Sequence, residues 1–127
     1  MRSTPDAILN ALPAHVAVLD AQGKICRVNK AWRAFAAQNG LEPAQVDVGT
    51  NYLSVCDAAT GEGEEDGKYA SIAIKEILRG ELGSYRLEYA CHSPRTKRWF
   101  MMQVAPVMLD GALHAIACDL CSGRNGQ

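Results

Sequence analysis

The sequence predicts one α+β domain built around an antiparallel sheet. Residues 84–120 hold three consecutive strand-like runs, residues 15–29 hold two more, and a single convincing amphipathic helix spans 65–79 between them. In SYRLEYACHS, Tyr85, Leu87, Tyr89 and Cys91 alternate with Ser84, Arg86, Glu88 and His92, the period-2 pattern of a half-buried strand. Ser93, Pro94 and Thr96 supply a turn. KRWFMMQVAPVM follows, apolar on both faces, with Phe100, Met102 and Val104 on one and Trp99 and Met101 on the other. Pro106 removes a ladder donor near its end, and Asp110-Gly111 turns the chain tightly into ALHAIACDL. A sheet with both faces apolar needs cover on both sides.

From the N-terminus, Thr4 reads as an N-cap with Pro5 at the first helical position and Asp6 in the first turn. Ala7, Ile8, Ala11 and Leu12 give that helix, over 5–12, a short apolar stripe ended by Pro13. About two turns are too few for independent stability, so the helix must dock. HVAVLD (15–20) and KICRVN (24–29) form a hairpin through Ala21-Gln22-Gly23. Asn29 is placed to cap the next helix, which turns Ala31, Trp32, Phe35 and Ala36 inward and ends at Asn39-Gly40. Residues 41–50 read as loop, NYLSVCDAA as a short helix and TGEGEEDG as a polar loop. In the long helix Ala70, Ala73, Ile74, Ile77 and Leu78 follow the i, i+3, i+4 spacing of one buried face, with acidic residues before it and Arg79 at its end.

At 127 residues the chain buries one core. A net charge of −1 without a basic stripe argues against nucleic-acid binding. No apolar run reaches the roughly 20 residues of a membrane span, and no signal-peptide core opens the sequence, so a cytoplasmic setting is expected. Five cysteines, an odd number, then fit reduced thiols better than a disulfide framework.

The element order resembles that of the PAS domains, the sensory modules of bacterial signalling proteins. VLDAQGKICRVNKAW is similar to the opening hairpin of that family with its strand-ending Asn, and VGTNYLSVC to its Gly and short helix. KRWFMMQVAPVMLDGALHAIACDL resembles the closing hairpin, and Asp119, Leu120 and Cys121 stand where the family often has an Asp-Ile-Thr exit motif. The resemblance covers roughly residues 7–121. It implies a five-stranded antiparallel sheet of order 2-1-5-4-3, with helices over one face. The corresponding division is a flanking helix at 1–13, a PAS-like domain at 14–121 and a polar tail at 122–127.

By the same resemblance, a ligand pocket between helices and sheet would be lined by Trp32, Tyr52, Ile74, Leu78, Leu87, Tyr89, Phe100, Met102, Val104, Ala115 and Ala117, beside Ala17, Leu19 and Leu113. The opposite face, with Val16, Val18, Trp99, Met101, Ile116 and His114, would meet Ile8 and Leu12 of the N-terminal helix or a second subunit. These bulky inward residues are as consistent with a filled core as with a cavity.

No cofactor is favoured. Haem-binding PAS domains often supply a His from the long helix, and 65–79 contain none. Flavin-bonding members use an Asn-Cys-Arg-Phe-Leu-Gln stretch, where this chain has SVCDAA around Cys56. Cys118 and Cys121 form a CxxC that closes only if the chain turns at once after Asp119. Four strand residues separate His114 from Cys118 by roughly 13 Å, too far to share a metal. Cys91 and His92, as strand neighbours, face opposite sides. The acidic residues at 62–66 read as a solvated loop and helix start, not as a cation site.

The expected function is non-catalytic: a sensory and interaction module, acting as a homodimer, that relays ligand, redox or partner state to an output such as a histidine kinase, a diguanylate cyclase or a transcription factor in the parent protein. Two-component signalling is the implied setting, and a small apolar ligand the implied input. The alternatives are a ligand-free dimerisation adaptor and, less well supported, a small open-sheet enzyme using Tyr89 or His92.

Overall fold

The computed structural model describes residues 4–38, 47–58, 64–90 and 99–121. In chain order these form α1 (Thr4–Ala11), β1 (His15–Leu19), β2 (Ile25–Val28), α2 (Lys30–Gln38), α3 (Tyr52–Asp57), α4 (Glu64–Leu78), β3 (Tyr85–Ala90), β4 (Trp99–Leu109) and β5 (Ala112–Cys121). The strands make one antiparallel sheet of order β2-β1-β5-β4-β3, as the resemblance to PAS domains implies.

Local chemistry explains each corner. The Asp20 carboxylate accepts from the Gln22 and Lys24 amides, both at 2.9 Å, while Gly23 takes φ +84°. A side chain at Gly23 would collide with Leu53, because α3 lands on this turn: the Tyr52 amide donates to Gly23 O at 2.9 Å. Asn51 caps α3 by accepting from the Ser54 amide at 2.9 Å. Helix α4 stops in a paired motif in which Glu81 N donates to Glu76 O and Gly80 N, at φ +77°, to Ile77 O. Asp110 and Gly111 both have positive φ, 52° and 78°, as a two-residue hairpin with the right-handed twist demands.

Pro106 does not end β4. Strand β3 pairs with β4 only as far as Tyr85 opposite Val104, whereas β5 follows β4 to Leu109. Pro106 therefore sits where β4 has become an edge, and its missing donor faces no strand.

The core lies between the sheet and α2, α3 and α4. Ala70, Ala73, Ile74 and Ile77 of α4 are at most 5% exposed, and Ala70, Ile74 and Ile77 close over Ala17, Leu19, Met102, Val104, Ala115 and Ala117. The turn at Asn39-Gly40, the residues Cys91 and His92 and residues 59–63 lie outside the described residues, whereas Glu64, Glu65 and Asp66, expected in a polar loop, form the first turn of α4.

Candidate functional site

Most of the expected pocket residues meet. Trp32, Ile74, Met102, Val104, Ala115 and Ala117 share one buried cluster with Cys56, and Tyr52, Leu78 and Leu87 pack against it. Phe100, 4% exposed, belongs to a neighbouring aromatic group. Its ring stands 5.3 Å from Phe35, edge to face. Tyr89 pairs with Phe100 across the β3–β4 ladder, and its side chain lies outside the described residues.

One end of this interior is polar. Trp32 and Tyr52 meet edge-on at 6.1 Å, and the Tyr52 hydroxyl and Cys56 thiol share a hydrogen bond. Burial, then the Asp119 carboxylate, pushes the Tyr52 hydroxyl well above its ordinary range. Tyr52 is half-buried as a residue, so the hydroxyl is its inward end. Burial, followed by Asp57, raises Cys56 to about 11. At neutral pH only about one thiol in ten thousand is then ionised, which suits a small buried hydrophobe and not a nucleophile. Ser71 on α4 is 1% exposed, and its hydroxyl has no hydrogen-bond partner among the described residues.

His15 and Asp119 complete this polar end. From the sequence His15 reads as the start of a strand, and the resemblance makes Asp119 an exit residue. Yet they are cross-strand partners, in the same inward row as Ala17 with Ala117 and Leu19 with Ala115. Asp119 is 7% exposed, and the His15 ring stacks on Phe35 at 4.4 Å. The signal was available: counting by twos from Ala17 and Ala117 turns both residues inward.

The opposite face is built differently. Val16 and Val18 are 1% and 3% exposed, whereas Trp99, Met101 and Ile116 are half-buried. A groove of about 820 Å³ runs along this face, with Val18, Val107 and Ile116 on its floor, Ile8 and Leu9 of α1 on one wall, and Arg27 and His114 also lining it. Helix α1 docks, as expected, but polar contacts anchor it. Buried Asn29 donates to Leu9 O at 2.8 Å and Ala14 O at 2.9 Å, and accepts from Val16 N at 3.0 Å and Trp32 N at 2.9 Å. Asn10 accepts from the Lys30 amide at 2.9 Å. Ile8 and Leu12 stay 57% and 41% exposed.

The immediate turn that a closed CxxC would need after Asp119 is not made, because β5 runs unbroken through Cys121. Three strand residues hold the two α-carbons roughly 10 Å apart, beyond the ~7 Å limit for a disulfide. At the exit, Leu120 is 51% exposed while Asp119 is buried. Among the described residues no group of three or more His, Cys, Asp or Glu is placed to hold a metal, and no helix is long and apolar enough to cross a membrane.

No family model matches the sequence. Solved structures do match its architecture. The PAS domain of an HTR-like protein from Haloarcula marismortui aligns with TM-score 0.56 at 20% identity, over 92% of this chain and 93% of that one. The PAS domain of nitrogen regulation protein NR(II) from Vibrio parahaemolyticus gives 0.58 at 16%, over 94% and 99%. The chain has the PAS fold. The sensor region of a sensor histidine kinase also aligns, at TM-score 0.63 and 14% identity, over 84% of this chain and 38% of that one. In sequence, the chain is 45% identical over 111 residues to an uncharacterized 104.1 kDa protein in the hypE 3' region of Rhodobacter capsulatus. The match takes in 84% of this chain, which spans about 11% of that relative's length.

Proposed function

We propose that this PAS domain is a non-catalytic sensory and interaction module that works as a homodimer within a signalling protein. The observation that carries this reading is the fold it shares, over nearly its whole length, with PAS domains and the sensor region of a histidine kinase. Its match to a small part of a 104.1 kDa relative fits a module that serves a larger protein. The output is a histidine kinase, a diguanylate cyclase or a comparable effector joined to a flank, and the setting is cytoplasmic. A change in the helix–sheet interior shifts the population of sheet and flanking-helix arrangements, and the output follows that shift. Asn29 supports this coupling, because one buried amide holds α1, the start of β1 and the start of α2 together. The exposed Ile8 and Leu12 and the half-buried Trp99 and Met101 supply apolar surface for a second copy.

A ligand-free adaptor is the second reading, and the dense packing of Trp32, Ile74, Met102 and Val104 favours it. Native mass spectrometry of the purified chain separates the two. A dimer carrying excess mass supports ligand sensing, and a dimer of bare polypeptide mass supports the adaptor. A monomer at every concentration contradicts the dimeric mechanism in both.

A further inference from the structure

The polar end of the interior lies where the chain enters and leaves the sheet. His15 is the first residue of β1, and Asp119 faces it two residues before the end of β5. Facing residues of an antiparallel pair have Cβ atoms about 4.5–5.5 Å apart, so the imidazole and the carboxylate are within reach of each other. The imidazole also stacks on Phe35 at 4.4 Å and 28° and meets Phe100 at 5.7 Å.

The elements around the pair contribute mainly apolar groups. From α2 comes the apolar Phe35, and Arg33 of that helix is engaged by Asp47 at 3.0 Å. From β4 come Phe100 and Met102, and from α3 the hydroxyl of Tyr52 and the thiol of Cys56, both protonated at neutral pH. The buried residues of α4 are Ala70, Ser71, Ala73, Ile74 and Ile77, none of them charged. From β5, Asp119 is the cross-strand partner of His15 and sets its carboxylate on the same face of the sheet.

We propose that His15 and Asp119 form a proton-operated clasp between the N-terminal and C-terminal flanks of the domain. The proposal rests on the sensory reading and names its input as the proton. Protonated His15 gives the buried carboxylate a charge-assisted partner and lays a cation against two phenyl rings. Loss of that proton leaves a neutral ring beside a buried anion and loosens the clasp. Histidine is the side chain whose charge ordinarily changes between pH 5 and 8. The change reaches α1 by a short route: Ala14, directly before His15, is held by the Asn29 amide that also holds Leu9. At the other end it reaches Leu120 and Cys121, the last two residues of β5.

Hydrogen exchange of the purified chain from pH 5.5 to 8, corrected for the intrinsic pH dependence of amide exchange, tests this alongside the NMR titration of the His15 ring. Protection of residues 9–16 and 116–121 should fall together by about tenfold, with the midpoint of the His15 titration. His15→Gln and Asp119→Asn should flatten both profiles, and His114→Gln should leave them unchanged. A flat wild-type profile overturns the proposal, as does a pH response that survives His15→Gln. Should Asp119→Asn fail to fold, His15→Gln and the ring titration decide alone. Native mass spectrometry reads the dimer and the ligand independently, so failure of the sensory reading is distinguishable from failure of the clasp.

Discussion

The two faces of the sheet are both apolar in sequence, yet they are buried by different means. Among the described residues the inner face is covered by three helices, and Ile74, Ile77, Leu19 and Ala115 reach zero exposure. The outer face is met by one eight-residue helix that is anchored through Asn10 and Asn29 and leaves Ile8 more than half exposed. Close packing makes the inner face the source of stability. A short helix held by a few hydrogen bonds is easier to shift, which makes the outer face the place for association and output.

Substitutions can break this contrast, beginning with the largest effect. Ile74→Asp puts a carboxylate into the densest part of the core and should abolish the cooperative thermal melt, a cost of roughly 4 kcal/mol or more. A retained melt would mean the inner face is not the stabilising one. Asn29→Ala removes a hub common to both faces and leaves buried backbone groups unpaired, so a loss of about 2–4 kcal/mol in urea unfolding is expected, with α1 exchanging faster than β5.

Raising the pH probes the inner face through Cys56. The folded Cys56 thiol titrates at about 11 against an ordinary 9.0. The unfolded thiol ionises first, so stability is fully present below pH 9 and is lost as pH rises toward 11. By pH 10.5 the loss from this group should be about 2 kcal/mol, seen as a steeper alkaline decline for wild type than for Cys56→Ala. Burial also raises the Tyr52 hydroxyl, which therefore acts in the same direction and remains in both proteins. The smallest effect is Ser71→Ala. It removes a buried hydroxyl without a partner among the described residues and should change the melting free energy by less than about 1 kcal/mol, toward greater stability.

The fold was legible because its signals are local. Alternation marked the strands, Asp110-Gly111 marked the last hairpin, and the spacing from Ala70 to Leu78 set the phase of α4. The same periods grouped Trp32 on one helix face and Met102 with Val104 on one strand face, and the resemblance to PAS domains added Ala117 to the interior. His15 and Asp119 were missed because their polarity suggested strand ends, although strand parity turns them inward beside their alanine neighbours. The groove was not legible at all. It depends on where α1 docks, and that is fixed by bonds from Asn29 to Leu9 and from Lys30 to Asn10, each spanning 20 residues. Such long-range polar contacts leave no periodic trace in a sequence. The reach of β4 past Pro106 was hidden for a related reason, since only the register of β3 shows that no partner needs the missing donor.

Sedimentation equilibrium of wild type and Trp99→Glu, paired with their thermal melts, tests most directly whether one face stabilises and the other associates. The account predicts a wild-type dimer, a Trp99→Glu monomer, and melting free energies, compared at a concentration where both proteins are monomeric, within about 0.5 kcal/mol of each other. A monomeric wild type, or a Trp99→Glu protein that loses its fold together with its association, would contradict it.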